Sequence, residues 1–274
     1  MSRTIAVLVH PARPEARDAA DTLQAHFSQK GASTYEVAHG EPITDGTELL
    51  VVLGGDGTIL RAAESVYGSA VPLLGINLGH VGFLAEADRE DILVVAKAIT
   101  DRTYQVEERM VLQADLHLGA SRSQEFALNE FALEKSGSRM VEVLLTIDDR
   151  PVSRWLADGV LCSTPTGSTA YAFSAGGPVI WPDVEAIQIV PLAAHALFAR
   201  PLVISPSSRV SLTLLSGRAN LVADGLRQRE MAVGDRILLT RSPRSLLFAR
   251  LTPTPFADRL VAKFRLPVEG WRES

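Results

Sequence analysis

Near residue 105 the hydropathy pattern of this 274-residue chain changes period, and that change limits the possible folds more than any single motif. Before it, "TIAVLV" (4 to 9) reads as a buried strand, and "ARDAADTLQAHFSQKG" sets Ala16, Ala20, Leu23 and Phe27 on one face of a helix ending at Gly31. "ELLVVL" (48 to 53) and "PLLGIN" (72 to 77) read as further strands. Between them "ILRAAESVYG" puts Ile59, Leu60, Ala63, Val66 and Tyr67 on one helical face. Such alternation predicts a parallel sheet flanked by helices. After it come short β-rich segments about ten residues apart: "MVLQADLHL", "EFALNEFALE", "MVEVLLTID", "RVSLTLLS", "NLVADG", "RILLTRS" and "LLFARL". Their polar turns, such as Asp148-Asp149-Arg150-Pro151, predict an antiparallel sandwich or barrel. The expected fold is an α/β N-terminal domain with a parallel sheet (1–104) and an all-β sandwich C-terminal domain (105–254). A helix-like tail (255–274) packs back on the first.

A hydrophobic content of 46% is enough to bury cores of this size. The apolar runs, such as "LLVVL", fall well short of the roughly 20 residues a bilayer span needs, and "MSRTIAVLV" lacks a signal peptide's cleavage region. A soluble, cytoplasmic protein without membrane attachment is expected. Cys162 is the only cysteine, so no internal disulfide forms, and it reads as core rather than as a reactive thiol. A net charge of −5 without a basic block argues against a nucleic-acid binder. His10, His26, His39, His80, His117 and His195 lack paired metal-ligand spacing and read as structural or solvated.

Gly54-Gly55-Asp56-Gly57 joins a strand to a helix. That junction lies at the carboxyl edge of the sheet, where open α/β folds bind ligands, and the helix N-terminus favours an anion. The loop fits neither G-x-x-x-x-G-K-[ST] nor G-x-G-x-x-G. A carboxylate beside phosphates is unfavourable unless it binds a metal or accepts a proton from an attacking hydroxyl; the bland reading of Asp56 is a capped turn. Two further stretches bear on the choice. "DGVLCSTPTGSTAYAFSAGGP" (158 to 178) is rich in short hydroxyls, poor as core, and suited to hydrogen-bonding a nucleotide. Tyr171 within it either stacks on a base or fills space. Asn129-Glu130 interrupts the apolar "FALNEFAL", so at least one of them should face inward unless a bulge re-aims it.

With Gly54-Gly55-Asp56-Gly57, Asn129-Glu130 and "STPTGSTAY" in this order, the chain resembles NAD kinases of the bacterial type. "NLGHVGFL" (77 to 84) and "HALFARPL" (195 to 202) extend the resemblance. It implies ATP-dependent phosphorylation of the 2′-hydroxyl of NAD's adenosine ribose, in a cytoplasmic homodimer or homotetramer. A divalent metal, Mg²⁺, would take part, and polyphosphate is an alternative donor. By the same resemblance Asp56 is the base, and Gly54, Gly55 and Gly57 share its loop contacts. Asn129 and Glu130 hold the adenosine ribose and neighbouring phosphate. Thr169, Ala170, Tyr171 and Ser174 face the adenine, with Phe83 lining its pocket. Asp158 reaches the nicotinamide end, Ala193 offers a backbone contact, and Arg61 and Arg139 stand near the nucleotide. Two positions depart from the family pattern: Leu156 stands where Arg is usual, so a charge contact is either missing or replaced by Arg154, and Leu226 stands where Gln is usual. Both bear on NAD versus NADH preference. A lipid kinase, which carries a similar glycine loop, and a non-catalytic dinucleotide sensor are the competing readings.

Overall fold

The computed structural model describes residues 3–77, 82–85, 87–88, 92–251 and 255–268. Residues 78–81 of the "NLGHVGFL" stretch, His80 among them, and the tail beyond 268 lie outside the described residues. The chain divides into two compact units, 1–108 with 246–274, and 109–245.

The first unit is built on a sheet of β1 (Thr4–Val9), β2 (Ser33–Glu36), β3 (Thr47–Leu53), β4 (Leu73–Asn77), β5 (Ala87–Asp88), β6 (Gln105–Arg109) and β19 (Leu246–Arg250). The strand order is β2-β1-β3-β4-β19-β6, with β5 also on β4. The pairs β1–β2, β1–β3, β3–β4 and β4–β19 are parallel. Among the described residues the helices of this unit are α1 (Pro14–Gln29), α2 (Asp56–Val66), α3 (Ile92–Asp101) and α5 (Phe256–Phe264). Helix α1 starts with Pro14 in its first turn, where a missing N–H costs nothing. It buries Ala16, Ala19, Ala20, Leu23 and Phe27 against β1 and β3, and fully burying Leu23 or Phe27 contributes about 1.5–3 kcal/mol each. Gly31, at φ 76°, turns the chain into β2.

The segment "LLFARL" reads from its sequence as part of the sandwich, but it forms β19 and pairs Phe248 with Leu73 in the parallel sheet. A five-residue apolar strand carries no mark of which sheet it joins. Its burial, with all but Leu247 inaccessible, is that of a strand covered on both faces.

The second unit holds two six-stranded antiparallel sheets. One comprises β7 (Leu112–Leu118), β8 (Ser121–Ala127), β10 (Val141–Ile147), β11 (Arg150–Ala157), β15 (Val210–Ser216) and β18 (Arg236–Arg241), in the order β11-β10-β15-β18-β7-β8. The other comprises β9 (Glu130–Lys135), β12 (Gly159–Ser163), β13 (Ile187–Leu192), β14 (Leu202–Ile204), β16 (Ala219–Ala223) and β17 (Arg227–Met231), in the order β14-β13-β12-β9-β16-β17. Leu112, Val143, Leu212 and Ile237 from the first meet Phe131, Val160, Cys162 and Ile189 from the second in one core, so this unit is a sandwich. Trp155 is fully buried there, and its indole N–H donates to the Phe198 carbonyl at 2.9 Å. The helix-like "STAYAFSAGG" is a 3₁₀ turn (Thr166–Thr169) followed by the single turn α4 (Tyr171–Ser174). Among the described residues no helix is long and apolar enough to cross a membrane.

Candidate functional site

In the first unit β3 ends at Leu53, and the Gly54 N–H donates to the Ile76 carbonyl at 3.0 Å, so the loop leaves the sheet beside β4. The three glycines do different work. A Cβ on Gly54 would come 2.4 Å from the Thr58 hydroxyl, so that glycine is required by packing, whereas Gly55 and Gly57 face open space. Asp56 is the first residue of α2 and does not cap it through its side chain. Instead its carboxylate accepts the Phe83 N–H at 3.0 Å and the Leu84 N–H at 3.1 Å. Gly82 lies so close that a Cβ there would meet Asp56 Oδ1 at 2.2 Å.

The 82–85 segment is held in turn. Arg250 donates to the Leu84 carbonyl at 3.2 Å, and Arg259 of α5 donates to the Ala85 carbonyl at 2.8 Å. The Phe83 ring packs with Phe256 and Phe264, both at 5.8 Å between centroids. Asp56 thus remains half-exposed but orientationally fixed through a chain of contacts that ends in the C-terminal helix. Arg61 is exposed one turn further along α2. It lies near enough to His39 to lower that imidazole, behind burial as the larger cause, and His10 acts the same way.

In the second unit "FALNEFAL" breaks into β8 and β9, and both polar residues at the break are buried, Asn129 at 8% and Glu130 at 7% exposure. Burial and then the neighbouring Asp224 push the Glu130 carboxyl up to about 8. The nearby Tyr171 N–H opposes that shift, and Oε2 is buried with no hydrogen-bond partner among the described residues.

A concavity of about 430 Å³ is lined by Glu134, Lys135, Asp158, Tyr171, Leu192 and Ala193, among others. Lys135 pairs with Asp158 at 2.5 Å, and the Tyr171 hydroxyl donates to Glu134 at 2.7 Å. Burial and then that bond raise the Tyr171 phenol to about 12. Ala193 stands exposed in a left-handed backbone conformation, φ 46°. The hollow therefore brings Asp158, Tyr171 and Ala193 together. Arg139 is exposed in the β9–β10 turn and is not among the residues lining it. Arg154, one of the two readings for the charge lacking at Leu156, donates to Glu142 across the β10–β11 hairpin at 2.6 Å.

The hydroxyl-rich segment departs from its expected character. Ser163, Thr164 and Ser168 are fully buried. Ser163 donates to the Asn129 carbonyl at 3.2 Å, Thr164 to Leu128 at 2.6 Å and Ser168 to Pro165 at 2.7 Å. These hydroxyls satisfy the carbonyls of an irregular backbone and pack as core. Further along, Thr169 is half-buried with its hydroxyl on the Thr166 carbonyl at 3.3 Å, Ala170 is half-buried, and Tyr171 and Ser174 are exposed. The residues that sequence reasoning passed over are Glu134, Lys135, Asp224, Gly82 and Arg259. Asp224 in particular looks like the end of "NLVADG", an ordinary Asp-Gly turn.

Among the described residues no group of three or more His, Cys, Asp or Glu could hold a metal ion.

The family model described as the ATP-NAD kinase N-terminal domain matches residues 5–104, and that of the ATP-NAD kinase C-terminal domain matches 128–251. The chain is 46% identical to an NAD kinase of Thermobifida fusca over 299 aligned positions, covering 99% of this chain and 92% of that protein. It is 54% identical to an NAD kinase of Cutibacterium acnes over 232 residues, 82% of this chain and 73% of that protein. A crystal structure of an Archaeoglobus fulgidus NAD kinase in complex with ATP aligns with a TM-score of 0.79 and 27% identity, covering 96% of this chain and 98% of that one. Yeast NADH kinase complexed with NADH shares the fold at a TM-score of 0.90 and 24% identity, over 100% of this chain and 90% of that one.

Proposed function

Because the chain belongs to the ATP-NAD kinase family and is an NAD kinase, we propose that it transfers the γ-phosphoryl group of ATP to the 2′-hydroxyl of the adenosine ribose of NAD. The hydroxyl oxygen bonds to the γ-phosphorus, the β–γ bridging bond breaks, ADP leaves and NADP forms. Asp56 takes the hydroxyl proton. The observation that carries this role is its carboxylate, half-exposed at the start of α2 and fixed by the N–H groups of Phe83 and Leu84. A base aimed in advance needs little reorganisation when the proton moves, and such positioning supplies much of the rate.

The open Gly55 and Gly57 and the N-terminus of α2 offer backbone donors to phosphate oxygens, with Gly54 shaping the loop. Arg61 adds a charge beside them. Asn129 and Glu130 hold the adenosine ribose and adjoining phosphate, and Thr169, Ala170, Tyr171 and Ser174 meet the adenine side. Phe83, backed by Phe256 and Phe264, walls the adenine. Asp158, exposed Ala193 and Arg139 are assigned to the rest of the dinucleotide. The carboxylates of the 430 Å³ hollow accept hydroxyls well, which suits a ribose. Mg²⁺ would arrive with ATP and neutralise charge on its phosphates. The accompanying assembly is a cytoplasmic homodimer or homotetramer.

Incubating purified protein with MgATP and NAD, NADH or diacylglycerol, then assaying NADP and NADPH with a specific dehydrogenase, tests the reaction. NADP formation dependent on ATP is expected. Lipid phosphorylation, or NAD binding without turnover on ATP or polyphosphate, would replace this reading with the lipid-kinase or sensor alternative.

A further inference from the structure

A buried carboxylate is costly unless it is hydrogen-bonded, and the second unit buries two side by side, Glu130 and Asp224. Asp224 follows β16 in the left-handed backbone region, φ 52°, a conformation Asp and Asn tolerate better than most residues. There its carboxylate reaches the turn between β8 and β9. Oδ1 accepts the N–H groups of Asn129 at 2.7 Å and Glu130 at 3.2 Å, and Oδ2 accepts that of Leu128 at 2.9 Å. The Asp224 N–H returns to the Glu130 carbonyl at 3.0 Å. Arg227 stands 3.8 Å from Oδ2 while donating to Glu125 and to the Phe126 carbonyl. A turn needs none of this to close. Three donors on one carboxylate fix the backbone on which Asn129 and Glu130 are carried.

We propose that Asp224 is a positioning residue for the acceptor nucleotide, presetting Asn129 and Glu130 and setting the hydrogen-bonding character that Glu130 presents. This rests on the reading of Asn129 and Glu130 as ribose and phosphate contacts. The Oε2 of Glu130 is buried and without a hydrogen-bond partner among the described residues, so its hydrogen-bonding capacity is unspent. Burial first, then the charge of Asp224, with a smaller push from Glu134 and opposed by the Tyr171 N–H, put this carboxyl at about 8. Burial also pushes the Asp224 carboxyl up against its three N–H donors, and with both shifts upward Glu130 in its protonated form donates to a phosphate or ribose oxygen. An ionised carboxylate at the same place would repel phosphate.

Initial rates measured from pH 6.5 to 9.5 for the wild type, Asp224→Asn and Glu130→Gln test the proposal. In the wild type the KM for NAD rises as pH passes about 8, and in Glu130→Gln that rise is absent. In Asp224→Asn the KM at pH 7 increases on the order of tenfold while kcat stays within about threefold, and the break in the KM profile moves to lower pH. An unshifted break, or a KM within about twofold of wild type, overturns the proposal. A wild-type profile without a break, together with an unchanged KM in Glu130→Gln, would instead remove the acceptor-site reading beneath it. Should Asp224→Asn not fold, hydrogen exchange in the wild type decides the question. The Leu128, Asn129 and Glu130 amides are expected to exchange slowly, and exchange at unstructured rates overturns the proposal.

Discussion

The glycine loop of the first unit and the Asn129-Glu130 turn of the second both present a carboxyl group on irregular backbone, under opposite physical conditions. Asp56 is half-exposed and held from outside, by two N–H groups on a segment that α5 and Arg250 support in turn. Glu130 is buried and held from within, its backbone fixed by Asp224 and its carboxyl shifted far from the usual range by burial. An exposed, oriented carboxylate exchanges a proton with a substrate readily. A buried one changes character when its surroundings change, which suits recognition. The contrast is one of support, outside contacts for Asp56 and burial for Glu130, and on the proposed reaction it would divide chemistry from selection, so each part can be broken separately.

The largest expected effect is at Asp56. Asp56→Asn should lower kcat on the order of 10²- to 10⁴-fold, the range for a general base, with the KM for NAD little changed. Steady-state rates with saturating MgATP measure it, and retained kcat would show that the carboxylate serves only to anchor the 82–85 segment. Gly82→Ala probes orientation with the carboxylate left in place. Its Cβ would sit 2.2 Å from Asp56 Oδ1, so either the carboxylate or the segment must move. A displacement near 1 Å costs on the order of 100-fold in turnover. A normal kcat in Gly82→Ala would mean that the aim of Asp56 is not set before substrate binds.

Ser168→Ala tests the other side of the comparison. Its buried hydroxyl donates to Pro165 and accepts from the Ile180 N–H at 2.9 Å. Deleting it should cost about 1–3 kcal/mol in stability, read by urea denaturation, with the KM for NAD within about twofold. A large KM effect without loss of stability would return this hydroxyl to the ligand.

The alternating strands and helices of the first hundred residues were legible because each buried face repeats at its own period: "TIAVLV" is β1 to the residue, and Ala16, Ala20, Leu23 and Phe27 are buried on α1. The glycine loop was legible as a strand-to-helix junction. What holds Asp56 was not, because the Phe83 and Leu84 N–H groups come from a segment distant in the chain, which Arg259 supports at Ala85, and none of these forms a motif with it. In the second unit Asn129 and Glu130 announced themselves by interrupting an apolar run. Asp224 did not, since an Asp before a Gly reads as a turn until its three N–H partners are seen. The hydroxyls of Ser163, Thr164 and Ser168 misled for a related reason. Composition shows that donors are present, and only the fold shows that the backbone consumes them.

The smallest effect, at the opposite end of β3 from the glycine loop, separates stability from chemistry within the first unit. Glu48 accepts Arg3 at 2.8 Å and Arg102 at 2.7 Å, and Arg3 also donates to the Ile99 and Thr100 carbonyls at the end of α3. The Arg3 bond, then that of Arg102, hold the Glu48 carboxyl down at about 2 against the opposing effect of burial. A carboxyl whose native value is depressed contributes stability above its unfolded value, near 4.5, and loses it as pH falls toward 2. With Arg102 largely exposed, solvent screening limits the contribution to about 1 kcal/mol. Glu48→Gln should therefore lower the urea midpoint modestly at pH 7, with the deficit shrinking below pH 4.5, while kcat stays at the wild-type value. A fall in kcat would mean that the anchoring of β3 reaches the loop that follows it, and the aim of Asp56 would then depend on the whole strand rather than on the 82–85 segment and α5.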